Sequence, residues 1–191
     1  ERGLFETRAK AQAAIMAGLV LVDGRPAVKS GDAVAPDSEL SLKSDPCPYV
    51  SRGGLKLRAA LDGFAISVKN RICLDVGAST GGFTDCLLQA GAAKVYAIDV
   101  GTAQLSDRLR KDPRVVSREN THANRLLADW FVPKPDMAVM DVSFISSAQV
   151  LPFIAPCLSH PFDLIVLVKP QFEVGPKLAP RGVVKDPAAR R

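Results

Sequence analysis

The segment ICLDVGASTGGFTDCLLQAG, Ile72 to Gly91, constrains the fold more than any other stretch. An apolar run stops at a loop of small residues, and apolar residues at helical spacing follow. A glycine-rich turn of this kind lets the backbone approach a ligand closely, and the helix that follows opens with unpaired N–H groups. The segment therefore predicts strand, ligand loop and helix in that order, with the loop at a strand's carboxyl end.

The chain around it repeats the alternation. KLRAALDGFA reads as a helix before this strand, and AKVYAIDVG, AQLSDRLRKD and RVVSREN read as strand, helix and strand after it. A helix is expected near Asn124–Trp130, then strands in PDMAVMDVSF and DLIVLVKPQFE. Strands this apolar, separated by helices, belong to a parallel sheet covered on both faces. The expected class is α/β, a doubly wound Rossmann-like sheet with its ligands at the carboxyl ends of the strands.

Residues 1–43 form a separate α+β block. ETRAKAQAAIMAG has helical spacing with a stop at Gly18, LVLVDGRPAV reads as a hairpin turning at Asp23-Gly24, and a short strand is expected at Glu39–Leu42. SDPCPYVSRGG, rich in proline and glycine, is read as a linker over 44–54, with the α/β domain filling 55–191. The count of about five strands and the phrase ERGLF at the start predict a chain trimmed at both ends.

Composition excludes several classes. The longest apolar run, Ala13 to Val22, is ten residues, too short to cross a bilayer. Four cysteines without a CxxC pair and two histidines on unrelated segments argue against a structural zinc site, and no metal is expected. Free thiols suit a reducing cytoplasm. A net charge of +5 admits a nucleic-acid partner without requiring one.

The loop Gly77-Ala78-Ser79-Thr80-Gly81-Gly82 lacks the second glycine of the dinucleotide fingerprint and carries no Walker lysine. What remains, D-x-G-x-S-x-G-G-F, suits S-adenosylmethionine. Asp75 is placed near the ligand's cationic end, and Gly77 to Gly82 with Phe83 beside it. Asp99, 24 residues after Asp75 and next to Val100, is placed at the ribose hydroxyls. Asn120 is placed at the adenine edge. Simple loop capping by Asp75 and Asp99 is the alternative.

Two further strand ends carry polar groups, Asp141 in VMDVSF and Lys169 in LVLVKPQFE. An ammonium directly after an apolar strand needs a partner, and Asp141 is the candidate. A structural ion pair is one reading; the other has Lys169 contacting a substrate hydroxyl with Asp141 orienting it. Lys56, after a flexible Gly53-Gly54, is expected to swing over the site. Two neighbouring lysines lower each other's proton affinity and ease ionisation of a ribose 2′-hydroxyl. Asp62, Arg52 and Lys177 are expected at the solvated surface or against an RNA backbone.

SRGGLKL, DVGASTGGFTD, YAIDVG, DVSFIS, LVKPQFE and GVVKDP together resemble the TlyA family, the bacterial "haemolysin A" proteins, which join an S4 RNA-binding domain to an FtsJ/RrmJ-like methyltransferase domain. TRAKAQAAIMAGLVLVDGRPAVKSGDAV is similar to the S4 part, so the likeness covers nearly the whole chain. It implies S-adenosylmethionine-dependent 2′-O-methylation of cytidine in ribosomal RNA, 16S or 23S, with ribosomal subunits as partners. The family's lysine–aspartate–lysine–glutamate tetrad maps onto Lys56, Asp141 and Lys169. Its glutamate sits in a later phrase like GNIEFL, which this sequence does not contain, and Glu173 is not its equivalent. The leading RLD-type helix of an S4 domain is also absent, so weakened RNA binding and turnover are expected. Arg8, Lys10, Arg25 and Lys29 in the first block, with Arg52, are the expected RNA contacts, acting on phosphates. Three rivals stay open: a dehydrogenase using Asp99, a non-catalytic RNA-binding or ribosome-assembly factor, and a membrane-lytic protein.

Overall fold

A computed structural model describes residues 3–43, 47–174, 178–179 and 183–184; Lys177, expected at the surface, lies outside them. The chain divides into two compact units, 1–48 and 49–191.

In the first unit, helix α1 (Arg8–Met16) starts where Thr7 Oγ1 accepts the Lys10 N–H at 3.2 Å. Strands β1 (Val20–Val22), β2 (Arg25–Pro26) and β3 (Leu40–Leu42) form an antiparallel sheet in the order β2-β1-β3. The hairpin turns at Asp23 and Gly24 as expected, both with positive φ (51° and 77°), the geometry that matches strand twist in two-residue loops. Asp23 also accepts the Glu39 N–H at 2.8 Å, tying the turn to the start of β3.

The second unit carries α2 (Gly53–Gly63), β4 (Ile72–Val76), α3 (Gly82–Gln89), β5 (Lys94–Ile98), α4 (Asp107–Arg110), β6 (Val115–Arg118), β7 (Met137–Met140), α5 (Ser147–Ile154), β8 (Asp163–Val166) and α6 (Pro170–Glu173). The five strands are parallel in the order β6-β5-β4-β7-β8. The chain winds outward from β4 through β5 to β6, then returns to the other side of β4 for β7 and β8. That reversal opens a crevice above the carboxyl ends of the central strands.

The pleat explains both cores. Cys73 packs with Leu57, Leu61, Phe83 and Leu87 on one face, while Leu74 and Val76 pack with Tyr96, Phe131 and Ile154 on the other. Asp75 shares the parity of Cys73 and so points toward α3. At the opposite end of the sheet, Arg71 bridges Asp136 and Asp163 at the starts of β7 and β8.

The structure corrects several boundaries. Gly53 and Gly54 belong to α2, not to a linker: a Cβ on Gly54 would overlap the Tyr49 ring, and the Val50 N–H donates to Asp85 at 2.8 Å. They serve close packing rather than flexibility, so Lys56 sits on a fixed helix. The helix expected in AQLSDRLRKD is only Asp107–Arg110, and Asn124–Trp130 forms two 3₁₀ turns, Ala123–Arg125 and Ala128–Trp130. KPQFE leaves the strand and turns into α6. Helix α5, with Pro152 inside it, lies where the sequence reading placed no element.

Candidate active site

Two adjoining cavities lie at the carboxyl ends of β4, β5, β7 and β8, sharing Gly77, Ser79, Asp141 and Ser143 as walls. The larger encloses about 550 Å³, a size suited to a nucleoside-type ligand. Asp99, Val100, Gly101 and Gln104 line it after β5, and Thr121 and His122 after β6. The smaller, about 250 Å³, is walled by Ser51, Gly53, Lys56, Ala78, Thr80, Gly82, Phe83 and Lys169.

The glycines have separate tasks. Gly77 has φ +84°, and a Cβ there would come within 2.7 Å of the Asp141 carbonyl oxygen. The carboxyl ends of β4 and β7 can be this close only without a side chain. The N–H groups of Gly77 and Ala78 both reach the Ile98 carbonyl, at 2.9 and 3.1 Å, fixing the loop to β5. A Cβ on Gly82 would overlap the Ser51 hydroxyl, so the SRGG segment and the opening of α3 interlock.

Asp99 holds this end of the crevice. Its two oxygens accept the N–H groups of Ser79 and Gly101, each at 2.7 Å, linking the loop after β4 to the loop after β5. A carboxylate oxygen can accept further hydrogen bonds, so the cavity side of Asp99 can also take ligand hydroxyls. Glu119, which the sequence reading left unassigned, accepts three successive N–H groups, from Ala103, Gln104 and Leu105 at 2.6, 2.9 and 3.2 Å. Those bonds hold its carboxyl below the usual range and pin the loop carrying Gln104.

At the junction of the cavities, Lys169 Nζ lies 2.6 Å from Asp141 Oδ1 and donates to Ser143 Oγ at 2.7 Å. The contact with Asp141 is an ion pair by distance, without hydrogen-bond alignment. Both side chains are about one-fifth exposed. Lys56 is exposed on the wall of the same small cavity, so the three tetrad residues read from the sequence meet at one place. Phe144, also unassigned from sequence, is 91% exposed at the cavity mouth with φ +64° and packs on Phe172 at 5.2 Å.

Three expected ligand residues do not reach either cavity. Asp75 is fully buried behind the loop; it accepts the Thr84 hydroxyl at 2.6 Å, and its other oxygen has no partner. Asn120 turns its amide to the Thr102 hydroxyl at 2.7 Å, leaving the wall to Thr121 and His122. Gly81, with φ +96°, faces Leu105 and Leu109. Glu173, set apart from the tetrad in the sequence, caps the start of α5 through Ser146 Oγ at 2.6 Å and Ser147 N–H at 2.8 Å. Asp62 pairs with Arg58 on the surface of α2.

Burial raises the Asp75 carboxyl from 3.8 to about 7. The folded state thus holds a proton that the unfolded chain releases between these values. The stabilisation is complete below pH 3.8 and is lost as pH rises through about 7. The stability of this chain relative to Asp75→Asn should therefore fall as pH rises from 3.8 to about 7, by about 1.4 kcal/mol per pH unit at the steepest, as read from melting curves across that range. Parallel curves would contradict it.

The basic residues expected to contact RNA are all exposed: Arg8, Lys10, Arg25 and Lys29 in the first unit and Arg52 in the second. Lys10 pairs with Glu6 at 2.6 Å. Cys73, Cys86 and Cys157 are buried free thiols, in keeping with their apolar settings. Among the described residues there is no cluster able to hold a metal ion, and no helix is long and apolar enough to cross a membrane.

Comparison with known proteins places this geometry. Residues 49–191 match the FtsJ-like methyltransferase model and residues 1–40 the S4 domain model. The chain belongs to the TlyA family. The 16S/23S rRNA (cytidine-2′-O)-methyltransferase TlyA of Mycobacterium tuberculosis is 50% identical over 99% of this chain and 71% of its own length. Hemolysin A of Brachyspira hyodysenteriae is 43% identical over 98% of this chain and 79% of its own. A solved structure from Streptococcus thermophilus bearing the hemolysin name has a TM-score of 0.77 at 46% identity, covering 98% of this chain and 70% of that one. A methyltransferase structure from Listeria monocytogenes, at 17% identity and a TM-score of 0.51 over 63% of this chain and 55% of that one, shares the fold alone.

Proposed function

We propose that this TlyA-family chain binds S-adenosylmethionine in the larger cavity and methylates the 2′-hydroxyl of a cytidine in ribosomal RNA. The observation that carries the reading is the Lys169–Asp141 pair, set at the junction between a nucleoside-sized cavity and a small cavity walled by a second lysine. The residues fit the cofactor. Gly77 leaves the crevice open, Asp99 offers a carboxylate for ribose hydroxyls, and Val100, 59% exposed, offers an apolar wall for a base. When bound, S-adenosylmethionine supplies a methyl group on a sulfonium centre.

The chain's own residues handle the receiving hydroxyl. Lys169, held by Asp141 and Ser143, places positive charge where the oxygen becomes negative as its proton passes to solvent water. Lys56 adds a second positive charge on the same wall. Asp141 fixes the direction of the ammonium and balances its charge. Phe144, exposed beside them, offers a face on which an unpaired base can stack, as single-stranded RNA recognition requires. The division read from the sequence becomes an RNA-binding unit ending near residue 43 and a catalytic unit that includes Tyr49–Gly54. In the first, Arg8, Lys10, Arg25 and Lys29 supply phosphate contacts that position RNA without reading its sequence.

Calorimetric titration with S-adenosylmethionine and with NAD tests the cofactor. Heat is expected from the first alone, and Asp99→Ala should weaken that binding about tenfold or more, as loss of a charged hydrogen-bond acceptor does. Binding of NAD, for which His122 on the cavity wall leaves chemical room, would favour the dehydrogenase reading instead.

A further inference from the structure

The segments after β7 and β8 carry the reacting groups, yet the sheet ends before they do. The last ladder bond between them runs from the Leu167 N–H to the Met140 carbonyl at 2.9 Å. Pro170 then has no N–H to offer. Beyond that point the two segments run side by side through side chains: Asp141 and Ser143 to Lys169, Phe144 to Phe172, and Ser146 and Ser147 to Glu173. Helix α6 has four residues, too few to hold its shape unaided. Glu173 is its last residue, and both of its carboxylate oxygens are used at the start of α5.

We infer that Glu173 is a positioning residue, latching the segment after β8 to the start of α5 and so holding Lys169 against Asp141. The inference rests on the methyl-transfer reading for its catalytic consequence, though not for the geometry itself. A lysine reaches its target through four rotatable side-chain bonds, so its placement depends on where the backbone is anchored. Leu167 anchors one side of Lys169 through the ladder. Glu173 anchors the other, one helical turn on.

The latch predicts a split between variants of the full-length protein. Glu173→Ala removes both contacts. Glu173→Gln keeps them, because Gln Oε1 can accept the Ser147 N–H while Nε2 donates to the Ser146 hydroxyl. Glu173→Ala should slow methyl transfer at saturating cofactor about tenfold or more, through misplacement of Lys169. Cofactor Kd should stay within about twofold, and Glu173→Gln within about threefold of wild type in rate, since its contacts persist. In parallel, acetylation by an N-hydroxysuccinimide ester, read by mass spectrometry with Lys56 as reference, should label Lys169 several-fold faster in Glu173→Ala and not in Glu173→Gln.

An unchanged rate and unchanged labelling in Glu173→Ala would overturn the latch. So would an equal loss in both variants, or a loss of rate matched by a loss of cofactor affinity. Should the wild-type protein transfer no methyl group, faster labelling of Lys169 in Glu173→Ala alone would sustain the latch while the methyl-transfer reading fell.

Discussion

Lys169→Ala is expected to lower methyl transfer by about a thousandfold, the scale seen when a charge-stabilising group is removed from a transition state, while cofactor affinity stays within a few-fold. The split follows from position. Lys169 walls the small cavity but not the large one, and its ammonium is directed to Asp141 and Ser143. Its removal also leaves the Asp141 carboxylate, only about one-fifth exposed, without its cation, so negative charge is left where the reacting hydroxyl must also become negative. Rapid-quench single turnovers beside calorimetry on the same variant would separate the two effects. Lost cofactor binding with a normal single-turnover rate would place Lys169 in the wrong cavity.

The second large effect is on folding. Gly77→Ala combines a left-handed backbone at φ +84° with a Cβ 2.7 Å from the Asp141 carbonyl oxygen. That oxygen belongs to the backbone and cannot rotate away, so the crossing of β4 and β7 must open. Strain and overlap together should cost about 3 kcal/mol, lowering the melting temperature by roughly 10 °C for a domain of this size. Cofactor binding should fall with it, because the same movement displaces both the ligand loop and Asp141. Gly63→Ala is the control: no atom lies within 4 Å of a Cβ there. It should leave melting within about 2 °C of wild type, since the substitution is strain-free. Equal effects of the two substitutions would refute the close-approach argument.

Much of this fold is legible in the sequence because periodicity and turn chemistry act locally. Asp23-Gly24 directly after the apolar run LVLV specifies its hairpin, and the run from Ile72 to Gly91 specifies strand, loop and helix. The pairing of Lys169 with Asp141 follows from the cost of an unpartnered ammonium after an apolar strand. Other features depend on what packs against what. Glycines at 53 and 54 read as a hinge, since the sequence does not show Tyr49 and Ser51 filling the space beside Gly54 and Gly82. Pro152 masks α5, because a proline inside a helix removes an i→i−4 hydrogen bond and reads in a sequence as a breaker.

Asp75 is the instructive case. Its place at a ligand loop suggests a contact, but strand parity groups it with Cys73, on the face that α3 covers. The signal was present in the pleat. Glu119 carried no such signal, because its role lies in three backbone N–H groups more than a dozen residues away.

The most direct test is to incubate the full-length protein with ribosomal subunits and isotopically labelled S-adenosylmethionine, then digest the RNA to nucleosides for mass spectrometry. Label is expected in 2′-O-methylcytidine, and none there from Lys169→Ala. Label on a base, or on no nucleoside above the Lys169→Ala background, would contradict it.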